Sequence, residues 1–255
     1  MTVKLIKPGD TDRLIALWKS FLAQLNLYND PVNSYYNTEF SQAVKKFQYI
    51  QRLETTGEID NATWLQAIQS GLGLNDQQRN SLPFKPAFSP LSNAAVKKHF
   101  GVLQFVHDPV PDNRENITII NDFESKNIIF VHIPQLSVIT SGGETGMLFH
   151  RKAAKQLIAF FSLIEDKGLL HKVLTFNGSY VPRLVRNSKN RLSNHSFGIA
   201  FDINAQWNSL GCTPAALGEK GSVRELVPLA HRCGFYWGGH FSRKDGMHFE
   251  IAQIV

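Results

Sequence analysis

From Asp12 onward, apolar residues recur at three- and four-residue steps: Leu14, Leu17, Trp18, Phe21, Leu22 and Leu25. That stripe predicts an amphipathic helix capped by Asp10 or Thr11. The stretch "NDPVNSYYN" breaks the period with Pro and Asn. A second stripe starts near Glu39 and puts Phe40, Ala43, Val44, Phe47 and Ile50 on one face. Beyond the turn "ETTGEIDNAT", Trp64, Leu65 and Ile68 predict a third, short helix. Three short helices around one core make an all-α module over residues 1–70. Residues 71–90, "GLGLNDQQRNSLPFKPAFSP", carry three prolines and little periodicity, and read as a linker.

Residues 91–255 have a different texture. "NIIFVHIPQL" is rich in β-branched and aromatic residues and predicts a strand ended by Pro. "HRKAAKQLIAFFSLIEDKG" predicts an amphipathic helix closed by Gly168. "LHKVLTFNG" reads as a strand, "YVPRLVRNSKNRLSNHS" as a polar loop, and "IAFDIN" as a short strand. "SVRELVPLAHRCGF" opens with a capping-box pattern, Ser222 and Glu225, and ends at Gly234; Pro228 predicts a kink within it. "MHFEIA" is the last strand. Helices and strands mix without regular alternation, so this part is expected to be α+β with a mainly antiparallel sheet.

Composition narrows the class. Apolar residues make up 43% and charged residues 19%, which excludes a disordered chain. No apolar run approaches the ~20 residues of a membrane span. The stretch "MTVKLIKPGDTDRL" lacks an apolar core followed by a small-residue cleavage site, and is not expected to be a secretory signal. Net charge is +6, which suits a polyanion: nucleic acid, an anionic bacterial wall or an outer-membrane surface, and the charge alone does not choose among them. Lys and Arg are scattered with no run of five, so nucleic acid is not an expected partner. The two cysteines, Cys212 and Cys233, build neither a disulfide scaffold nor a Cys-based zinc module; they can pair if the fold brings them together, and two buried free thiols are the expectation. A monomer is expected.

Candidate chemistry sits in "SNHSFGIAFDIN" and "KDGMHFE". Strand alternation in "AFDIN" turns Phe201 and Ile203 one way and Asp202 the other; in "MHFEI" it separates His248 and Glu250 from Met247, Phe249 and Ile251. If the two strands are neighbours, Asp202 and His248 sit side by side. His195 precedes a Gly-containing turn and can fold back to the same point. Two imidazoles and one carboxylate leave a fourth tetrahedral position open, as catalytic Zn2+ requires. Asp245, three residues before His248, can reach water as a general acid/base without being a ligand. Glu250 is suited to hold the His248 imidazole from behind. Arg183, in "GSYVPRLV", can supply fixed positive charge to a developing oxyanion or a substrate carboxylate. On spacing alone a strand histidine is more often structural than a ligand, and Asp245 in "KDGM" is an ordinary turn former. His240, in "WGGHF", either lines the cleft or caps a turn. His99, His107, His132, His150, His171 and His231 show no ligand spacing and read as structural.

"SNHSFGIAFDIN" resembles the Ser-x-His-x-x-Gly-x-Ala-x-Asp signature of the zinc D-alanyl-D-alanine carboxypeptidase and L-alanyl-D-glutamate endopeptidase family, to which the D-Ala-D-Ala dipeptidases of vancomycin resistance belong. "GFYWGGHFSRKDGMHFE" is similar to its second signature, and "FNGSYVPR" looks like its Arg-bearing loop. The resemblance covers about residues 88–255. It implies that His195, Asp202 and His248 bind zinc, that Asp245 is the acid/base, and that Arg183 contacts substrate or transition state. His240 departs from the acidic or other polar residue that relatives often carry there. "QAVKKFQYIQRLETTGEIDNATWLQAI" resembles the three-helix peptidoglycan-binding domain at Ala43, Val44, Phe47, Gln48, Gly57, Ile59, Asp60, Thr63 and Leu65. It departs at Phe40, where Thr is common, and at "ALWKSF" in the first helix.

The expected function is hydrolysis of peptide-stem bonds in peptidoglycan, as a D,D-carboxypeptidase or an L,D-endopeptidase. The expected place of action is the bacterial wall, the periplasm or the outside, by lysin-like release or a dedicated secretion route. The alternatives are a wall-binding protein with a retired site and a soluble D-Ala-D-Ala dipeptidase.

Overall fold

The computed structural model describes residues 4–139, 143 and 145–255. The first three residues of the N-terminal stretch lie outside it. Contacts group Met1–Ser81 with Ala215–Glu225 in one compact unit, and Leu82–Pro214 with Leu226–Val255 in the other.

The first unit is helical: α1 (Arg13–Gln24), α2 (Thr38–Ile50), α3 (Asn61–Gln69) and a short α4 (Asp76–Asn80). The α1 cap is Asp12, whose side chain accepts from the Leu14 amide, and neither Asp10 nor Thr11 takes that place. Asn37 and Asp60 cap α2 and α3 in the same way, each contributing about 1 kcal/mol. Trp18 is the centre of the core, edge-on to Phe21, Phe47 and Trp64. On α3 the buried face is Trp64 and Ala67; Leu65 and Ile68 are exposed, contrary to the sequence reading. Gln48 is buried and ties the turn to the helices. Its amide donates to the Glu58 carbonyl (2.7 Å) and the Thr63 hydroxyl (3.1 Å), and its Oε1 accepts from the Gly57 amide (2.8 Å). This explains why Gln, Gly and Thr stand together in the module's pattern. Within the expected linker, α4 forms behind a capping box at Asn75 and Gln78.

The second unit is α+β. Its elements are α5 (Asn93–Phe100), β1 (Phe105–His107), β2 (Ile117–Ile119), α6 (Phe123–Asn127), β3 (Ile128–His132), α7 (Pro134–Ile139), β4 (Gly146–His150), α8 (Ala154–Asp166), β5 (Ala200–Asp202), α9 (Val227–Arg232), β6 (Phe235–Trp237) and β7 (His248–Ile251). All strand pairings are antiparallel among the described residues, in small sheets β1-β2, β3-β4 and β5-β7-β6 rather than one large sheet. In β5-β7-β6, alternation sends Phe201, Phe249 and Phe235 to one face. There Phe201 stacks on Phe249 (5.5 Å, 8°), and Phe160 of α8 packs on all three. Burying each ring contributes roughly 1.5–3 kcal/mol, so this face fixes the register. The opposite face then carries Asp202, His248, Glu250 and Tyr236.

Two expectations fail here. "LHKVLTFNG" is no strand: Leu170–Lys172 is a 3-10 turn, and Phe176 makes one isolated bridge to Ile203. The Asn204 side chain satisfies this backbone instead, accepting from the Leu174 and Thr175 amides (2.7 and 3.1 Å) and donating to the Lys172 carbonyl (2.7 Å). The helix expected from Ser222 begins at Val227, which puts Pro228 in the first turn, where no intrahelical N–H is lost and no kink arises. The Ser222 hydroxyl meets the Glu225 carboxylate (2.9 Å) outside any helix. Both cysteines are free, but only Cys233 is buried; Cys212 is exposed, contrary to the expectation of two buried thiols.

Candidate metal centre

The register pairs Asp202 directly with His248 across β5 and β7. His195 reaches them from a 3-10 turn, Asn194–Phe197, capped by Ser193 and ended by Gly198 in the left-handed region (φ 63°). A Cβ on Gly198 would lie 2.7 Å from Ile128 Cδ1 and 3.0 Å from the His150 amide, so the turn closes only with Gly.

The three side chains meet through specific atoms. His195 Nε2 is 3.1 Å from His248 Nδ1 and 3.3 Å from Asp202 Oδ1; His248 Nδ1 is 3.0 Å from Asp202 Oδ1. The tautomers follow from the other ring nitrogens. His195 Nδ1 lies 2.6 Å from the Ser179 carbonyl oxygen, which can only accept, so Nδ1 carries the proton and Nε2 a lone pair. His248 Nε2 faces Glu250 Oε2 at 3.0 Å and donates there, which leaves the Nδ1 lone pair facing inward. Two nitrogen lone pairs and one carboxylate oxygen therefore converge, an arrangement that repels itself unless a cation sits among them. In place of an ion, protons on the inward ring nitrogens would relieve the same repulsion: burial opposes ionisation of Asp202, but hydrogen bonds from ring N–H groups of both histidines, and their charge, outweigh that and hold its carboxyl far below the usual range. Burial likewise disfavours charge on His248, but Asp202 and Glu250 override it and raise its pKa. Both shifts say that the cluster stabilises positive charge at its centre. A tetrahedral ion with ligands at about 2.0–2.1 Å would hold donors roughly 3.3 Å apart, close to the spacing found. The donor set fits zinc.

Asp245 and Arg183 line the same cavity as Asp202, His248 and Glu250. Asp245 Oδ1 is buried and has no hydrogen-bond partner among the described residues, and burial pushes the Asp245 carboxyl up. The close packing of its turn depends on Gly238: a Cβ there would lie 2.4 Å from the Asp245 carbonyl oxygen. Arg183 is half-buried and held at both backbone ends. Asn116 bridges it on one side, and the Ser196 hydroxyl accepts from its amide (2.8 Å) and donates to its carbonyl (2.6 Å). Burial, and then the charge of Arg186, push its pKa down, while the negative charges of Asp202, Asp245 and Glu115 oppose that shift.

His240 is placed elsewhere. It is not among the residues lining the cavity; its Nε2 lies 2.8 Å from the Pro83 carbonyl, and its ring packs edge-on against Trp237 at 5.1 Å. That geometry is a packing contact, because its polar atom is turned from the trio. Sequence reasoning missed Asn194, Ser196 and Ser179. Asn194 Nδ2 donates to Glu250 Oε2 at 2.7 Å, so three successive residues of one turn steady Glu250, supply His195 and hold the Arg183 backbone. The signal for Asn194 and Ser196 was their adjacency to His195; Ser179 lies sixteen residues earlier, in the loop that carries Arg183.

Residues 186–251 match the family model described as D-alanyl-D-alanine carboxypeptidase, and residues 13–66 match that of a putative peptidoglycan-binding domain. The carboxypeptidase-family resemblance holds. The carboxypeptidase match takes in His195, Asp202, Asp245, His248 and Glu250, and starts three residues after Arg183. No curated protein matches the chain. Together the two matches support a hydrolase acting at the cell wall, with peptidoglycan as its partner. No helix among the described residues is long and apolar enough to cross a membrane.

Proposed function

We propose that the chain is a zinc-dependent peptidase that hydrolyses peptide-stem bonds of peptidoglycan, as a D,D-carboxypeptidase or an L,D-endopeptidase. The observation that carries this reading is the convergence of His195 Nε2, His248 Nδ1 and Asp202 Oδ1 within 3.3 Å of one another, in the cavity that also holds an Asp245 oxygen with no partner among the described residues. His195, Asp202 and His248 would hold the ion. When bound, zinc would supply a Lewis acid and lower the pKa of water to about 7. Asp245 takes the proton of the attacking water on its carboxylate and returns it to the leaving amine; burial, which raises its affinity for protons, suits both transfers. Arg183 offers its guanidinium to the negative charge that grows on the carbonyl oxygen, and the Ser196 clamp holds it there. Glu250 fixes the His248 ring by accepting from Nε2. The helical module, residues 1–70, keeps the enzyme on the polymer, where even weak attachment raises local concentration.

The test is digestion of purified peptidoglycan, with and without chelator, and mass spectrometry of the fragments. Chelation should abolish release of stem fragments and zinc should restore it. An Asp245→Ala variant should release about 100-fold less or lower still. Unchanged fragments from that variant would refute the assigned role.

A further inference from the structure

The cavity beside the trio encloses about 640 Å³ and is lined by four arginines, Arg183, Arg186, Arg191 and Arg243, together with Asp202, Asp245 and Glu250. Most of these charges are already committed. Asp202 faces both histidines, and Glu250 takes His248 and Asn194. Arg186 pairs with Glu115 at 2.8 Å, and Arg183 Nη1 donates to the Leu184 carbonyl. Arg191 and Arg243 differ: among the described residues, neither side chain has an ion pair or a hydrogen bond. They also stand in telling places. Arg191 lies on the return of the Arg183 loop, where Leu184 bridges Leu192. Arg243 lies two residues before Asp245, in the turn that Gly238 closes through the Phe241 and Asp245 amides. The two loops that deliver Arg183 and Asp245 thus each carry one further unpaired guanidinium to the same cavity.

An exposed guanidinium is well solvated while the cavity is open. A peptide lying over the trio displaces that water and must either pair the charge or strand it. A guanidinium is a planar fork of donors that fits a carboxylate with two parallel hydrogen bonds. We propose that Arg191 and Arg243 are specificity residues, and that the cleft selects an acidic peptide whose free carboxylates meet these two side chains while the scissile bond lies over His195, Asp202 and His248. This rests on the peptidase reading above and narrows its substrate. Peptides whose carboxylates are amidated are poor substrates, because they bring neutral groups to two cations.

The test uses matched synthetic peptides, one with free carboxylates and one with the same groups amidated. Both are presented to the zinc-loaded full chain and to its R191Q, R243Q and R191Q/R243Q variants. Hydrogen bonds to charged groups of this kind are worth about tenfold or more each. The wild type should therefore favour the acidic peptide by at least about tenfold in kcat/KM, chiefly through KM. Each single variant should lose part of that ratio, and the double variant should level it. A ratio that survives the double variant overturns the proposal. If the wild type hydrolyses neither peptide, the peptidase reading fails on its own. Fluorescence anisotropy of the labelled peptides then decides about the arginines: the acidic peptide should bind tighter to the wild type and equally to the double variant. Equal binding of both peptides to the wild type overturns the proposal.

Discussion

Replacing Gly238 by Ala would drive a methyl group into the turn that carries Asp245. The new Cβ would lie 2.4 Å from the Asp245 carbonyl oxygen and 3.1 Å from the β-carbons of both Asp245 and His248. Carbon–oxygen contacts settle near 3.3 Å or beyond, so the two backbones must part by roughly 0.9 Å. The Gly238 carbonyl already accepts from the Phe241 and Asp245 amides at 3.0 Å each, which leaves the turn no slack on that side. His248 is held by its β5 partner and by Glu250, so Asp245 is the side that yields. A displacement of about 1 Å at a reacting group costs on the order of 100-fold in rate, and overpacking costs about 1–3 kcal/mol of stability. Steady-state hydrolysis of a stem peptide, zinc content and thermal unfolding should be measured on Gly238→Ala together. The expected result is a kcat about 100-fold lower, with the zinc retained and the fold intact at room temperature. A variant with wild-type kcat would refute the inference that this turn positions the acid/base.

His150 and Ser196 give two further expectations. His150 is fully buried; Nε2 donates to the Phe100 carbonyl (2.9 Å) and Nδ1 accepts from the Lys152 amide (3.2 Å), which leaves no place for a second proton. Burial first, with Lys152 and Arg151 adding to it, pushes its pKa down from 6.5 to about 4, the Phe100 bond opposing. The unfolded chain therefore binds more protons between these values, so stability is full above pH 6.5 and falls as the pH drops towards 4, by up to about 3 kcal/mol. Urea midpoints at pH 7 and pH 4.5 should show this loss, and His150→Gln should flatten it; an equal loss in that variant would contradict the assignment. Ser196→Ala removes both hydrogen bonds to the Arg183 backbone at a fully buried site, and should cost about 1–3 kcal/mol. It should also lower kcat with zinc affinity unchanged, and Ser196→Thr should restore part of the loss; an Ala variant with unchanged kcat would show that the clamp is structural only.

The legible part of the site was its local part. Period-two alternation in "AFDIN" and "MHFEI" was enough to set Asp202, His248 and Glu250 on the face opposite the phenylalanines, because one face of β5-β7-β6 is fixed by Phe160. The helices of the first unit were legible for the same reason: their apolar stripes are local. What escaped depends on residues distant in the chain. The Asn204 side chain takes over the backbone of 172–175, so a stretch with strand composition never forms a ladder. The ring of His240 turns to Pro83, more than a hundred residues earlier, and no spacing could reveal that. The Ser196 clamp likewise needs the Arg183 loop to fold back over thirteen residues.

The central claim is that His195, Asp202 and His248 form a zinc site. Its most direct test is metal content, by emission spectroscopy, of untagged chain after exhaustive dialysis against zinc-buffered solution. The account predicts one zinc per chain in the wild type, and less than a tenth of that in His195→Ala and in His248→Ala. Full zinc content in either variant, or none in the wild type, would contradict it.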